Sequence, residues 1–249
     1  MTFCRSKTSP RANLILVPLV ALLSSSVGHA DPPTAITTCA FNIATPGHYY
    51  LAMDLTCPEG GISIRTNDVY LRLDGHTLQG SSAGPGILLS AVTNIVIQGP
   101  GTITGFQDGV SIVQSQLSTV IGVTATGNSF HGFVGSFASN NVLRANEAAL
   151  NGSDGIALAF GTANMIVANR LINNGGGIRL DFSHRNNIYA NTANSNRRGI
   201  TLSTSTQNEL LGNTALDNTI EDMFDLASNC DDNRWQGNRF DTANQSCIQ

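Results

Sequence analysis

From about residue 60 onward, apolar and polar positions alternate in short bursts, as in "GIALAF" (155–160), "GIRLDF" (177–182) and "GITLST" (199–204). A period of two places successive side chains on opposite faces of an extended strand, so each burst predicts a strand with one face buried. Every burst opens on a glycine followed by an apolar residue: Gly61-Ile62, Gly86-Ile87, Gly109-Val110, Gly132-Phe133, Gly155-Ile156, Gly177-Ile178 and Gly199-Ile200. The steps between them are 25, 23, 23, 23, 22 and 22 residues, and Asp222-Met223 continues the series with the glycine lost. So regular a period is the mark of a repeat architecture.

A second periodicity runs inside the first. About nine residues after the glycine comes an asparagine (Asn141, Asn164, Asn186, Asn208), and two more follow at five-residue steps. The middle members are Asn146, Asn169, Asn191 and Asn213; the last are Asn151, Asn174, Asn196 and Asn218. Neither a helix nor a lone strand has that spacing. Three short strands joined by three bends do, if each unit coils once and stacks on the next. Asparagine suits bends that need left-handed backbone, and stacked amides can continue a hydrogen-bonded ladder from coil to coil. A sandwich would lack the single-coil register, and a propeller blade needs about 40 residues or more.

The repeated "G-I-x-L … N-x-[VIL]-x-[AG]-N-x-[AL]-x-x-N" resembles the repeats of right-handed parallel β-helix proteins of the pectate-lyase-like superfamily, NosD-type periplasmic proteins among them. The resemblance implies an all-β fold, a single-stranded right-handed parallel β-helix of about eight coils with capped ends. It says nearly nothing about activity.

The ends differ from the middle. A basic leader (Arg5, Lys7, Arg11), an apolar run from Leu14 to Leu23 and small residues before Asp31 make residues 1–30 a signal peptide. The apolar run is too short to span a membrane, and no other segment of the mature chain offers a span. We expect an N-terminal cap over 31–58, repeats over 59–229, and a C-terminal coil and cap over 230–249, with Trp235 plugging the core in the column of Leu210. Four cysteines remain after the leader, two near each end of the mature chain. In an exported protein they predict disulfides Cys39–Cys57 and Cys230–Cys247, each worth about 3 kcal/mol by loop entropy. Secretion or a periplasmic location follows. Without the leader, ten arginines face seventeen acids, a balance that disfavours nucleic acid. A monomer is expected.

In a stack of coils, equivalent positions lie about 4.8 Å apart, so the column preceding each glycine becomes a surface feature. It reads Pro85, Asp108, His131, Asp154, Gly176, Arg198, Glu221. Asp108, His131 and Asp154 on consecutive coils are the catalytic candidates, as a carboxylate–imidazole group able to share protons. Arg198 in the same column and Arg179, outward on the sixth strand, are the substrate-binding candidates for the carboxylate of an acidic sugar. The competing reading is turn chemistry, with Asp side chains accepting backbone N–H groups. The column resembles that of polygalacturonases, whose catalytic acids and histidine precede the same strand. However, "QDGV", "FHGF" and "SDGI" are not that family's motifs, and the Asp-Pro-His signature of alginate epimerases is missing.

No metal site is expected. His48, His76, His131 and His184 are scattered, as are Met53, Met165 and Met223, which leaves copper without a soft cluster. No cofactor is expected either, although Glu221, Asp222, Asp225, Asp231 and Asp232 offer a weak Ca²⁺ possibility beside the simpler reading of a solvated acidic loop. Three functions stay open: binding and modification (lyase, epimerase or hydrolase type) of an extended polysaccharide, a non-catalytic scaffold, or metal handling. The outward face reads as poor in aromatics and without long side loops, which leans toward a framework.

Overall fold

The computed structural model describes residues 32–230 and 232–249; the predicted signal peptide lies outside the described residues, as does Asp231. The glycine-marked bursts form one nine-stranded parallel sheet. Its strands are Phe41–Ile43, Ile62–Ile64, Pro85–Ser90, Asp108–Val113, Phe133–Ser136, Asp154–Ala159, Gly176–Asp181, Arg198–Ser203 and Glu221–Asp225. The short strands after the first bend stack into a ten-stranded sheet running from Thr34–Ile36 to Arg234–Gln236. Those after the second bend make a seven-stranded sheet from Leu55–Cys57 to Thr192–Asn194. All assigned strand pairings are parallel, and each joins a residue to its counterpart one coil away, as in Ile156 with Ile178 and Ile178 with Ile200. The chain therefore winds as a β-helix around one apolar core. Residues 31–58, expected as a cap, carry strands that pair in register with the coils that follow.

Alternation decides which side chains fill that core. Ile156, Leu158, Ile178, Leu180, Ile200 and Leu202 point inward and are buried, while the residues between them face out. The glycines are there because coils approach closely behind them. A Cβ on Gly199 would stand 2.3 Å from the Asp222 carbonyl oxygen and 2.8 Å from the Asn218 amide nitrogen. On the last coil of this sheet no further glycine-marked strand follows, only the C-terminal segment around Asp241–Ala243, and there the position becomes Asp222.

The asparagines form three buried ladders. Asn191 illustrates the rule: its Oδ1 accepts the backbone and side-chain N–H of Asn169, both at 2.9 Å. Its Nδ2 donates to the Ile166 carbonyl at 2.9 Å and to Asn213 Oδ1 at 3.0 Å. The left-handed backbone belongs not to the ladder asparagines but to the residue before each: Ala145, Ala168 and Ala190 in the middle ladder (φ 50°, 54° and 52°), and residues as large as Leu150, Arg185 and Gln207 in the other two. That residue reverses the chain so that the next side chain can turn inward.

Every ladder points its amide donors toward the C-terminal end, where it needs an acceptor. Asn218 donates to Asp222 Oδ1, Asn233 to Asp225 Oδ2, and Asn238 to the Gln249 carbonyl. Asp225 Oδ2 also takes the indole N–H of Trp235, which is buried over Leu210 as expected. Asp222 and Asp225 are therefore buried ladder terminators rather than members of a solvated loop or calcium site. Both predicted disulfides, Cys39–Cys57 and Cys230–Cys247, are formed at the two ends of the stack.

Breaking a mid-ladder amide should be costly. Asn191→Leu breaks four buried hydrogen bonds. Asn213 Oδ1 keeps the backbone N–H of residue 191 and Asn169 Nδ2 keeps the Leu143 carbonyl, so about two groups are left without a partner, at about 1–3 kcal/mol each. We expect a loss of about 3–5 kcal/mol in urea unfolding, against less than about 0.5 kcal/mol for the outward Thr124→Ala. Asp222 behaves differently with pH. Burial alone would raise its pKa, but the Asn218 amide and the backbone N–H groups of Asp241, Thr242 and Asn218 outweigh it and hold it below the usual range. A lowered folded-state pKa stabilises above the unfolded value of about 3.9 and loses that contribution as pH falls through the folded value. Urea midpoints of the wild type should therefore drop below about pH 4, whereas Asp222→Asn starts lower at pH 7 and shows a shallower fall.

Candidate functional site

The column before the glycines is in vertical register, with Asp108 over Pro85, Asp154 paired to Gly176, Gly176 to Arg198 and Arg198 to Glu221. Its members do different work. Asp108 Oδ1 accepts the His131 backbone N–H at 3.1 Å, and His131 Nδ1 lies 3.2 Å from the Asp154 backbone nitrogen. Both side chains thus reach up to the next coil in the manner of turn acceptors. His131 also comes within 3.5 Å of Asp154 Oδ2. With Nδ1 accepting from the backbone, the neutral ring carries its proton on Nε2.

Asp154 breaks the pattern. Its coil neighbour is Gly176, whose N–H bonds to the Ser153 carbonyl rather than to the Asp154 side chain. The carboxylate occupies the space a side chain at 176 would need, since a Cβ there would stand 2.2 Å from Oδ1. Asp154 is 7% exposed. Burial raises its pKa, against the opposing charges of His131 and Arg179.

Beside it opens a cavity of about 330 Å³ lined by Asp154, Gly175, Gly176, Arg179, Asp181, Arg197, Arg198, Thr201, Ser203, Phe224 and Leu226. Three guanidinium groups therefore border one buried carboxylate. Arg179 Nε is paired with Asp181 at 2.8 Å. The Arg198 guanidinium lies 4.9 Å from the centre of the Phe224 ring, a cation–π arrangement that holds it in place. Its Nε is sealed from solvent and has no hydrogen-bond partner among the described residues.

The predicted residues Asp154, Arg179 and Arg198 meet at this cavity, and His131 touches it through Asp154. Asp108 lies three coils away from Gly176 and serves His131. Sequence reasoning missed Asp181, Arg197 and Phe224. Asp181 and Phe224 sit at outward strand positions, and Arg197 lies one residue before the column; the period-two pattern could have pointed to the first two. A second correction concerns aromatics. The outward surface is not poor in them: Phe137, Phe160 and Phe182 stand exposed in one column, stacked at 4.8 and 5.3 Å with planes 6° and 11° apart.

Parallel coils, an amide-laddered core and an outward strand face with a charged cavity define a right-handed parallel β-helix protein. More narrowly, residues 61–248 match the family model described as "Periplasmic copper-binding protein (NosD)", and the chain belongs to that family. No curated protein matches the sequence. Among solved structures, the periplasmic alginate epimerase AlgG is similar at TM-score 0.67 and 17% identity, over 80% of this chain and 51% of that one. The present chain thus spans about half the length of AlgG. The A-module of Azotobacter vinelandii mannuronan C-5 epimerase AlgE6 gives TM-score 0.54 and 14% identity, over 85% and 77%. Dettilon tailspike protein gives 0.56 and 17%, over 75% and 48%. At these identities the likeness is one of fold.

The family description names copper, and the donors in this chain do not fit it. All four described cysteines are consumed in disulfides, and the four histidines outside the leader lie on four different coils. Among the described residues no three of His, Cys, Asp or Glu gather into a metal-sized group. Nor is any described helix long and apolar enough to cross a membrane.

The buried Asp154 carries a testable cost. A carboxyl whose folded pKa is raised destabilises the fold as pH rises from the unfolded value through the folded one, and above that the penalty stays. Asp154→Asn should therefore be more stable than the wild type at pH 7. The gain should vanish below about pH 4, as read from paired urea titrations.

Proposed function

We propose that this protein is exported and binds an extended acidic polysaccharide lengthwise on the glycine-marked sheet, with the arginine cavity as its anchoring subsite. The observation that carries this reading is that Arg198, whose buried Nε has no partner among the described residues, lines with Arg179 and Arg197 a cavity beside a desolvated carboxylate. An arginine fork without a partner is matched by a planar carboxylate. Disulfides at both ends suit an oxidising compartment. The fold is shared with proteins named as epimerases of alginate and mannuronan.

The same groups suit proton transfer next to that carboxylate. An acidic sugar held by Arg198 presents the C–H bond beside its carboxylate to the Asp154 carboxylate as base, with His131 beside it carrying its ring proton on Nε2. Removal of that proton builds negative charge on the carboxylate, where the guanidinium groups stabilise it. Asp154, with its pKa raised by burial, is poised closer to neutral pH than a free carboxyl. Return of a proton from the other face would give an epimer, and loss of the neighbouring glycosidic oxygen an unsaturated end.

Binding isotherms with polyuronates and with neutral glucans test the reading. The wild type should bind polyuronate and weaken with salt, and Arg198→Ala should lose at least about tenfold, the scale of one charged hydrogen bond. Arg198→Lys should fail to restore it. Epimer ratios, ultraviolet-absorbing ends and new reducing ends then report modification, abolished in His131→Ala or Asp154→Asn. Equal affinity for neutral and acidic polymers would overturn the proposal.

A further inference from the structure

Opposite the charged column, each of three successive strands ends in an exposed phenylalanine. Phe137 follows the strand Phe133–Ser136, Phe160 follows Asp154–Ala159, and Phe182 follows Gly176–Asp181. All three sit in left-handed bends, with φ of 52°, 55° and 46°. Bulky residues there carry a steric cost that smaller ones reduce. Equivalent bend positions on flanking coils hold Gln114 and Thr204, so the fold does not demand aromatic rings at this column. Half-exposed and stacked, the rings form an apolar wall along one side of the face that bears the cavity.

How they stack limits what they can bind. The ring planes are nearly parallel and follow one another along the coil axis, so each ring covers its neighbour's face. The outer surface of the ladder is therefore made largely of ring edges. Phe160, covered on both sides, is 49% exposed and Phe182 at one end is 48% exposed, so the terminal face of Phe182 is not open for a sugar to stack on, and only Phe137 at the other end, 59% exposed, offers more ring face. Ring edges are apolar and slightly positive, and they accept no hydrogen bond. A row of sugar hydroxyls pressed against them would lose bonds to water without replacement. An ester has the complementary chemistry: a methyl group, a carbonyl oxygen that tolerates a positive edge, and no donor to strand. Arg179 lies three positions before Phe182 on the same extended segment, about 10 Å along it. One sugar residue with substituents on opposite edges can bridge that distance.

We propose that the ligand is an O-acylated acidic polysaccharide, its carboxylates turned to the arginines and its ester groups to the Phe137–Phe160–Phe182 wall. This rests on the arginine-anchored reading above and adds the ester as a second determinant. The test compares an O-acetylated polyuronate with the same polymer after mild alkaline de-esterification, matched in length. Binding to full-length, leader-processed protein is measured by calorimetry. The wild type should favour the acetylated form by about fivefold or more, the scale of one buried methyl group. Phe137→Gln/Phe160→Thr/Phe182→Thr, which installs residues the column already carries elsewhere, should bind both forms equally at the de-esterified level. The single change Phe160→Thr checks the result with less disturbance, and circular dichroism confirms that both variants are folded. Arg198→Ala should weaken both forms together. Indifference of the wild type to acetylation, or a preference that survives in the triple variant, overturns the ester proposal while leaving the arginine reading intact. Failure of the wild type to bind either polymer overturns both.

Discussion

The hydrogen-bonded asparagine ladder is the interaction on which the rest of this molecule depends. Each bend would otherwise leave backbone groups facing the core without water, at a cost of about 1–3 kcal/mol apiece. A side-chain amide accepts from one coil while its two N–H groups donate to a bend carbonyl and to the next amide, one donor more than the hydroxyls of Ser183 and Ser205 supply. The ladder fixes the register of the coils from Asn128 onward, and so decides which residues share a column there. It also has a direction, because each Nδ2 donates to the next coil's Oδ1. A directed ladder cannot simply stop. At its C-terminal end it needs groups that accept without donating, which explains two buried carboxylates and the substitution of Asp222 for the repeating glycine.

Because bends and core are satisfied internally, the outward positions of the glycine-marked sheet are free to differ from coil to coil. The middle outward column reads Ser111, Val134, Ala157, Arg179, Thr201, Phe224. Small residues in the first three give way to an arginine, a small hydroxyl and an aromatic ring. The cavity arises at that change, where Gly176 leaves room for the Asp154 carboxylate and Phe224 props Arg198. Chemistry here comes from departures in an otherwise regular lattice.

That division explains how much of the structure was readable in advance. Coil length, parallel pairing, inward columns and disulfide partners all follow from periodicity, because each is repeated or paired. The column Asp108–His131–Asp154–Arg198 was also legible, since register alone places it. What register could not reveal was how each side chain is used. Asp108 and His131 accept backbone N–H groups of the next coil, while Asp154, facing a glycine, does not. The phenylalanine column escaped notice for a related reason. Those residues sit just past the strands, and an apolar residue at a bend looks in one dimension like another core position.

The contrast between Asp154 and Asp222 separates site from scaffold more sharply than position does. Both are buried aspartates on the same edge of the sheet. Asp222 is met by the Asn218 amide and by the backbone N–H groups of Asp241 and Thr242, and its pKa is lowered despite burial. Asp154 receives only a long bond from Ser153 Oγ at 3.4 Å, and burial raises its pKa. A carboxylate needed only for architecture is surrounded by donors, as Asp222 is. One left short of donors beside three guanidinium groups keeps an electrostatic debt that a bound carboxylate, by ordering those arginines, can help to settle. That imbalance is the physical ground for the acidic ligand proposed above, whereas the copper in the family's name finds no matching donors among the described residues.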